Sequence, residues 1–139
     1  MDKYMNIAIR EARIAYDEGN VPVGAVIVNN ENIVSFAHNM KNTDNVSIYH
    51  AEILCIIDAC KKLNTWRLND CELYVTLKPC DMCIAAIAES RISKVFYLLD
   101  SNYEENLSSN IVNISLNRIY DCYDYNRLLS DFFKRIRNI

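Results

Sequence analysis

The spacing of apolar residues along the chain predicts an opening helix followed by a hairpin. Apolar positions recur at helical spacing over residues 2–18, and Gly19 follows as a natural C-terminal cap. Residues 21–28 then form a continuous apolar run of strand length. A polar turn at 29–32 separates this run from a second strand at 33–38, so the pair is predicted to form a β-hairpin.

The start of the first strand contains two residues that are unusual inside a sheet. Pro22 has no backbone N–H to donate, and Gly24 has no side chain to pack. This pair predicts that the strand begins at a sheet edge or at an approach point for a ligand.

The rest of the chain alternates between helical and strand patterns. The predicted segments are a helix at 51–63, a strand at 71–77, a helix at 80–90, a strand at 94–99 and a C-terminal amphipathic helix. Pro79 is expected in the first turn of the second of these helices. The apolar side of the last helix, from Leu128 to Ile136, is expected to pack on the core. The polar stretches 39–49 and 100–117 give no assignable regular structure.

Strands that alternate with helices favour an α/β fold with helices on both faces of one sheet. No repeat, linker or low-complexity tract divides the 139 residues, so one domain spanning 1–139 is predicted. No stretch approaches the roughly 20 apolar residues of a membrane helix. The first ten residues also lack the plan of a signal peptide. A soluble intracellular domain without a membrane partner is therefore expected.

Charge and glycine content exclude two classes of function. The net charge of −3 argues against a protein that coats nucleic acid through overall basicity. Only two glycines occur, so no glycine-rich phosphate loop can form. The C-terminal helix is nevertheless locally basic, and this cluster is either a solvated face or a contact for RNA. Its basic residues are Arg127, Lys134, Arg135 and Arg137.

Six cysteines are unusual in a chain without an export signal, and they indicate metal binding or plain burial rather than disulfides. Cys80 and Cys83 lie three residues apart at the start of a predicted helix, where thiolates are favoured. The other four are most simply read as small buried residues. They are Cys55, Cys60, Cys71 and Cys122.

A second motif, His50-Ala51-Glu52, stands at the start of the other inner helix. One imidazole and two thiolates between two helix starts would leave a fourth tetrahedral position open, which is typical of a catalytic zinc site. Glu52 at the same helix entrance could take a proton from water and return it to a substrate. Two alternatives remain: a redox CxxC motif, and a closed structural zinc site in a binding module without catalysis.

With these residues the chain resembles the cytidine deaminase-like superfamily, and within it the bacterial tRNA-specific adenosine deaminases. The motifs H-x-E and P-C-x-x-C together are the signature of the zinc deaminases. The matching blocks run through most of the chain. They are 21–28, Asn39, 50–52, 74–77, Pro79 to Cys83, 90–92 and 128–133.

The resemblance implies a three-layer α/β/α sandwich with a central mixed five-stranded sheet. It implies one Zn²⁺ per subunit held by His50, Cys80 and Cys83, with Glu52 as the catalytic proton shuttle. The substrate contacts that it implies are Asn39, Ala51, Val21 and Pro79.

The reaction implied by the resemblance is hydrolytic deamination of the wobble adenosine, position 34, to inosine in a tRNA anticodon loop. Arginine tRNA is the expected substrate, and a cytoplasmic homodimer is the expected form. A relative acting on free guanine, cytosine or a nucleoside is the closest alternative, because its zinc chemistry would be identical.

The chain departs from the family pattern at Ile48-Tyr49, directly before His50, where small residues are common, and at two further places. Lys78 stands where the family usually has glutamate before Pro-Cys, and we expect its side chain to point outward. The segment 96–117 also matches poorly. All three departures concern substrate recognition more than metal chemistry.

Overall fold

The computed structural model describes residues 2–101, 113–120 and 123–137. The helices of this part of the chain are α1 (Lys3–Asp17), α2 (Lys41–Asp44), α3 (Ala51–Leu63), α4 (Asp81–Glu89) and α5 (Tyr123–Arg137). The strands are β1 (Gly24–Asn29), β2 (Asn32–His38), β3 (Cys71–Leu77), β4 (Lys94–Leu99) and β5 (Ser115–Arg118).

The five strands form one mixed sheet in the order β2-β1-β3-β4-β5. Strand β1 pairs antiparallel with both β2 and β3, whereas β3, β4 and β5 run parallel to one another. The parallel arrangement of β3 and β4 requires a crossover, and α4 supplies it.

Alternate residues of the central strands pack into two separate cores. Ala25 and Ile27 of β1 face the core under α3 and α4, while Val26 and Val28 face the core under α1 and α5. Both faces of β1 are thus buried, which explains why its sequence is apolar without alternation. The predicted three-layer α/β/α sandwich with a mixed five-stranded sheet is confirmed.

Several predicted elements coincide with the observed ones. The helix at 51–63 and the strands at 71–77 and 94–99 have the predicted bounds. Two elements fall in or overlap stretches that gave no prediction: α2 lies within 39–49, and β5 begins within 100–117 and ends at Arg118. Each has only four residues, too few to show a periodic pattern. Residues 102–112 and Cys122 lie outside the described part of the chain.

The first strand begins at Gly24 and not at the predicted Val21. Before it, the N–H of Val23 donates to the carbonyl of Val21 at 2.8 Å, so the chain makes a tight turn ahead of the first strand. Gly24 marks a close approach of α1 to the sheet. A Cβ at Gly24 would lie 1.8 Å from the carbonyl oxygen of Ala8.

The second inner helix begins at Asp81, one residue later than predicted. Cys80 is its N-cap, with extended backbone angles of φ −74° and ψ 173°. Pro79 therefore precedes the helix and does not belong to its first turn. Its ring keeps Lys78 in extended geometry and so out of the helix. Pro79 also has no N–H to continue the strand pairing beyond β3.

Only part of the predicted apolar side of the C-terminal helix packs against the core. Phe132 is buried, but Phe133 and Ile136 are 40% and 48% exposed. Arg135, expected among the free basic residues, places its guanidinium 4.4 Å from the Tyr16 ring centroid and donates to the Tyr16 carbonyl. Part of the basic cluster thus attaches α5 to α1.

Asparagine takes the left-handed backbone positions that glycine commonly fills. The asparagines with positive φ are Asn30, Asn45, Asn64 and Asn113. Asn45 and Asn64 are the C-caps of α2 and α3, with φ of 56° and 54°. In residues 2–101, 113–120 and 123–137, no helix combines the length and apolarity needed to cross a membrane.

We expect Gly24→Ala to destabilise the protein, because its new methyl group would overlap the backbone of α1. Overpacking of this kind costs about 1–3 kcal/mol or more. Urea denaturation would measure the change in the free energy of unfolding. Gly19→Asn is the matched control, since no atom lies within 4 Å of a Cβ there and asparagine tolerates its φ of +86°. Equal stability of the Gly24→Ala protein and wild type would contradict this packing.

Candidate active site

Three side chains that can ligate a metal meet between the starts of α3 and α4. The Nδ1 atom of His50 lies 3.7 Å from the sulfur of Cys80 and 3.6 Å from the sulfur of Cys83. The three donor atoms all lie within 4.8 Å of one another. Among the described residues, no fourth His, Cys, Asp or Glu joins this group.

These distances fit a tetrahedral zinc ion. Bonds of about 2.0–2.1 Å to nitrogen and about 2.3 Å to sulfur set tetrahedral ligand atoms about 3.5–3.8 Å apart. One imidazole and two thiolates are also the soft donor set that zinc prefers. Three protein ligands leave a fourth position for water or substrate, as in catalytic sites and unlike closed structural ones.

Helix capping brings the three ligands together. His50 and Cys80 are the N-caps of α3 and α4, and both have extended backbone angles that turn the chain into the helix. Their carbonyl oxygens accept the first helical hydrogen bonds, from Leu54 and Ile84. Cys83 lies in the first turn of α4, three residues after Cys80 and on the same side.

The two cysteines differ sharply in their affinity for protons. Hydrogen bonds from Cys83 and then His50 lower the pKa of Cys80 to about 4. The bond to Cys80, followed by burial, raises the pKa of Cys83. Without metal the pair therefore holds one proton, and Cys80 is the thiolate. The hydrogen bond between His50 and Cys80 raises the pKa of the imidazole. Metal binding would release protons from these groups.

Glu52 lies in the first turn of α3, two residues after His50. It is 4% exposed, and burial raises the pKa of its carboxyl group to about 7. A carboxyl group with a pKa near the working pH can both accept and donate a proton. Residues two apart on a helix normally face apart. Because His50 is an extended cap, both side chains nevertheless reach one cavity.

The cavity beside these residues has a volume of about 200 Å³. Apolar walls come from Val21, Val23 and Leu77, and the polar lining includes Asn39. The remaining lining residues are Lys41, His50, Glu52, Lys78, Cys80 and Ser101. A small pocket that combines apolar walls with polar groups suits a single planar ring.

The wall that carries Asn39 is held by backbone and side-chain hydrogen bonds. The N–H of Asn39 donates to the carbonyl of Val23 at 3.1 Å, and its side-chain oxygen accepts from the N–H of Lys41 at 3.0 Å. Asn20 is fully buried, and its side-chain oxygen accepts from the N–H groups of Asn42 and Thr43. These bonds anchor α2 and the segment before it to the end of α1.

The predicted substrate contacts divide into two groups in the structure. Val21 and Asn39 line the cavity. Ala51 and Pro79 are buried next to the lining residues His50 and Cys80, and they are not among the lining residues described. Five lining residues were not predicted from the sequence as contacts: Val23, Lys41, Leu77, Lys78 and Ser101. The apolar run at 21–28 contained Val23, but nothing in it marked which residues would leave the sheet.

Lys78 lines the cavity, and the outward orientation expected of its side chain stays a prediction. Its backbone N–H donates to the carbonyl of Leu99 at 2.9 Å, so the residue stays in register beyond the end of β3. This register, together with the restriction imposed by Pro79, sets the residue beside the pocket. Lys41 is a second lysine in the lining, and no sequence motif pointed to it.

Comparison with known proteins defines the class to which this site belongs. Residues 1–99 match the family described as the cytidine and deoxycytidylate deaminase zinc-binding region. This range includes all three candidate metal ligands and Glu52. The chain therefore belongs to the zinc-binding cytidine and deoxycytidylate deaminase family.

Individual relatives narrow the class further. The tRNA-specific adenosine deaminase of Aquifex aeolicus is 43% identical over 145 residues, covering 97% of this chain and 95% of the relative. The Bacillus subtilis tRNA-specific adenosine deaminase is 52% identical over 94 residues. That match covers 68% of this chain and 58% of the relative. Within its class, the chain belongs to the tRNA-specific adenosine deaminase family.

A solved structure supports the same assignment. It comes from work on A-to-I editing by tRNA:A34 deaminases at the wobble position of transfer RNA. It is 32% identical to this chain with a TM-score of 0.76, and the match covers 84% of this chain and 96% of the solved one.

We expect Cys80 to be the most reactive thiol of the metal-free protein at pH 6. Its pKa of about 4 makes it a thiolate there, whereas burial raises the pKa of Cys55 to about 12. Iodoacetamide labelling followed by peptide mass spectrometry would rank the sites. Added zinc should suppress labelling of Cys80, and Cys80→Ser should abolish the fast reaction. Equally fast labelling of Cys60, whose pKa is raised by burial, would contradict the assignment.

Proposed function

We propose that this protein converts the wobble adenosine of a tRNA anticodon to inosine by hydrolytic deamination. One observation carries the proposal: a three-donor metal cluster and a buried glutamate border the same cavity. The support for tRNA as substrate is the 43% identity, over nearly the full length of both chains, to a tRNA-specific adenosine deaminase.

His50, Cys80 and Cys83 would hold the zinc ion. Zinc supplies an activated water near neutral pH, because it lowers the pKa of bound water from about 15.7 to about 7. Glu52 would transfer the protons of the reaction. Its carboxylate takes a proton from the attacking water and delivers it to a ring nitrogen as the hydroxyl group adds at C6 of adenine. It then carries the proton of the new C6 hydroxyl group to the amino group, which leaves as ammonia while the C6 carbonyl forms.

The cavity walls would hold the adenine base. Val21, Val23 and Leu77 offer apolar contacts to the ring faces. The side-chain oxygen of Asn39 is already engaged by Lys41, which leaves its amide nitrogen to donate to the substrate. Ala51, at the first position of α3, has a backbone N–H without a helical acceptor. We assign this N–H and the carbonyl of Pro79 as further polar contacts for the substrate.

The small volume of the pocket favours a nucleotide that is already unpaired. A base within a duplex would have to leave its stack before reaching the buried Glu52. An anticodon loop presents its bases unpaired or easily splayed, so little unpairing energy is required. This requirement fits the single-base volume of the cavity.

We further propose that residues 1–139 act as one deaminase domain within a cytoplasmic homodimer, with an arginine tRNA as substrate. Support for a subunit interface comes from α3, which exposes Ile57 and Leu63, and from the exposed Trp66 that follows it. Exposed apolar side chains grouped along one element are typical of an interaction surface.

The decisive test of the substrate is inosine mapping. We expect zinc-loaded protein to convert position 34 of an unmodified arginine tRNA transcript, which reverse transcription reads as an A-to-G change. In parallel reactions, free guanine and free cytosine replace the tRNA, and ammonia release is measured. Ammonia from either base without inosine in the tRNA would replace the proposal with free-base deamination.

The role of Glu52 is tested by Glu52→Gln. This variant should retain one zinc ion per chain and the wild-type unfolding midpoint, but lose about 10²–10⁴-fold in kcat because proton transfer fails. Zinc content by mass spectrometry and inosine formation are the two measurements. Glu89→Gln, on the exposed last turn of α4, is the matched control. Unchanged turnover by Glu52→Gln would exclude the proton-shuttle role and favour a binding module.

A further inference from the structure

Two lysines border the cavity, and the deamination chemistry described above gives neither of them a role. Lys41 is the first residue of α2, after β2, and Lys78 follows β3. Both line the same pocket as Asn39 and Glu52. They come from separate parts of the chain, so their meeting at one cavity is a product of the fold and not of a local basic run.

The positions of both residues are fixed by the backbone. The N–H of Lys41 donates to the side chain of Asn39, and α2 is anchored further through Asn20. The N–H of Lys78 donates to the carbonyl of Leu99 on the neighbouring strand. Hydrogen bonds thus hold the backbone of both lysines beside the cavity, and Lys41 is exposed to solvent.

The chemistry of the bound base does not account for these charges. Adenine is neutral. In the proposed complex the apolar walls contact its ring, and Asn39 and Glu52 contact its edges. The nearest anions of a nucleotide within a strand are the phosphodiesters on either side of it. Two cations from separate elements at the pocket can contact the strand there, even though the whole chain carries a net charge of −3.

We infer that Lys41 and Lys78 bind the phosphates that flank the target nucleotide, and so select a nucleotide within an RNA strand over a free base or nucleoside. The inference rests on the proposed function, which it deepens. It also gives the departure at Lys78 a function. A cation beside the pocket attracts the phosphate backbone, where a carboxylate would repel it.

Salt dependence provides the test, because each phosphate contact adds a defined increment. For single-stranded nucleic acid, the slope of log K against log salt changes by about 0.7 per contact. Binding of a fluorescent anticodon stem-loop, measured by anisotropy between low and moderate salt, would give the slope for each protein. We expect the Lys41→Gln/Lys78→Gln double variant to reduce its magnitude by about 1.4, and each single variant by about 0.7.

Two kinds of variant separate phosphate binding from a structural role. Lys41→Arg and Lys78→Arg preserve the charge and should retain the wild-type slope, whereas loss of the slope in both Arg and Gln variants would overturn the inference. Lys94→Gln is the matched control, because Lys94 is exposed at the opposite end of the parallel strands. In inosine assays, the Gln variants should raise KM for the stem-loop while kcat at saturation changes little.

The same experiments distinguish failure of this inference from failure of the proposed function. If wild type forms inosine and the double variant keeps the wild-type salt slope, the phosphate contacts are refuted and the proposed function stands. If wild type binds the stem-loop but forms no inosine in it, the proposed function is overturned. The assignment of these lysines to a target nucleotide is then refuted as well.

Discussion

The active-site geometry depends on the packing of α3 and α4 side by side over one face of the sheet. Both helices lie on the core formed by alternate residues of the central strands, and both begin at the same end of that layer. Their caps, His50 and Cys80, therefore meet without any direct chain connection. Two sets of unpaired helical N–H groups point toward the same volume, which favours the thiolates that a metal requires.

Burial at this point makes the protonation of each group depend on its neighbours. Glu52 and Cys83 are both nearly inaccessible to water. The pKa of Glu52 rises because its low-dielectric surroundings disfavour charge, and that of Cys83 rises through its hydrogen bond to Cys80 and then through burial. Cys80 is less buried and becomes the thiolate through hydrogen bonds from the groups that stay protonated. A glutamate with a pKa of about 7 is the group in this set suited to moving protons at neutral pH.

The sequence was informative wherever burial imposed a pattern over several residues. The strands Cys71–Leu77 and Lys94–Leu99 and the helix Ala51–Leu63 were predicted with their observed bounds, because each carries a full set of apolar positions. The metal ligands were predictable because their residue types and spacing have few other uses. Short elements and local turns were not predictable. The side chain of Asn20 anchors α2 over twenty residues away in sequence, and no local pattern reveals such a bond.

Lys78 shows the same limit within the site. Its place beside the cavity follows from the backbone bond to Leu99 on another strand, so it depends on sheet register and not on adjacent residues. The first strand was misjudged for a related reason. The run from Val21 is apolar throughout, but its first residues form a cavity wall while the later ones fill a core. Hydrophobicity indicates burial without indicating what a residue is buried against.

The asparagines at left-handed positions have a consequence for the unfolded chain. Asn45 and Asn64 end helices where glycine would fit with less strain. Glycine at those sites would, however, give the denatured ensemble more conformations to lose on folding. A chain of 139 residues with only two glycines thus gains part of its stability from the restricted freedom of its denatured state. That contribution is independent of the metal and of the cavity, so the scaffold can remain folded while residues around the pocket change.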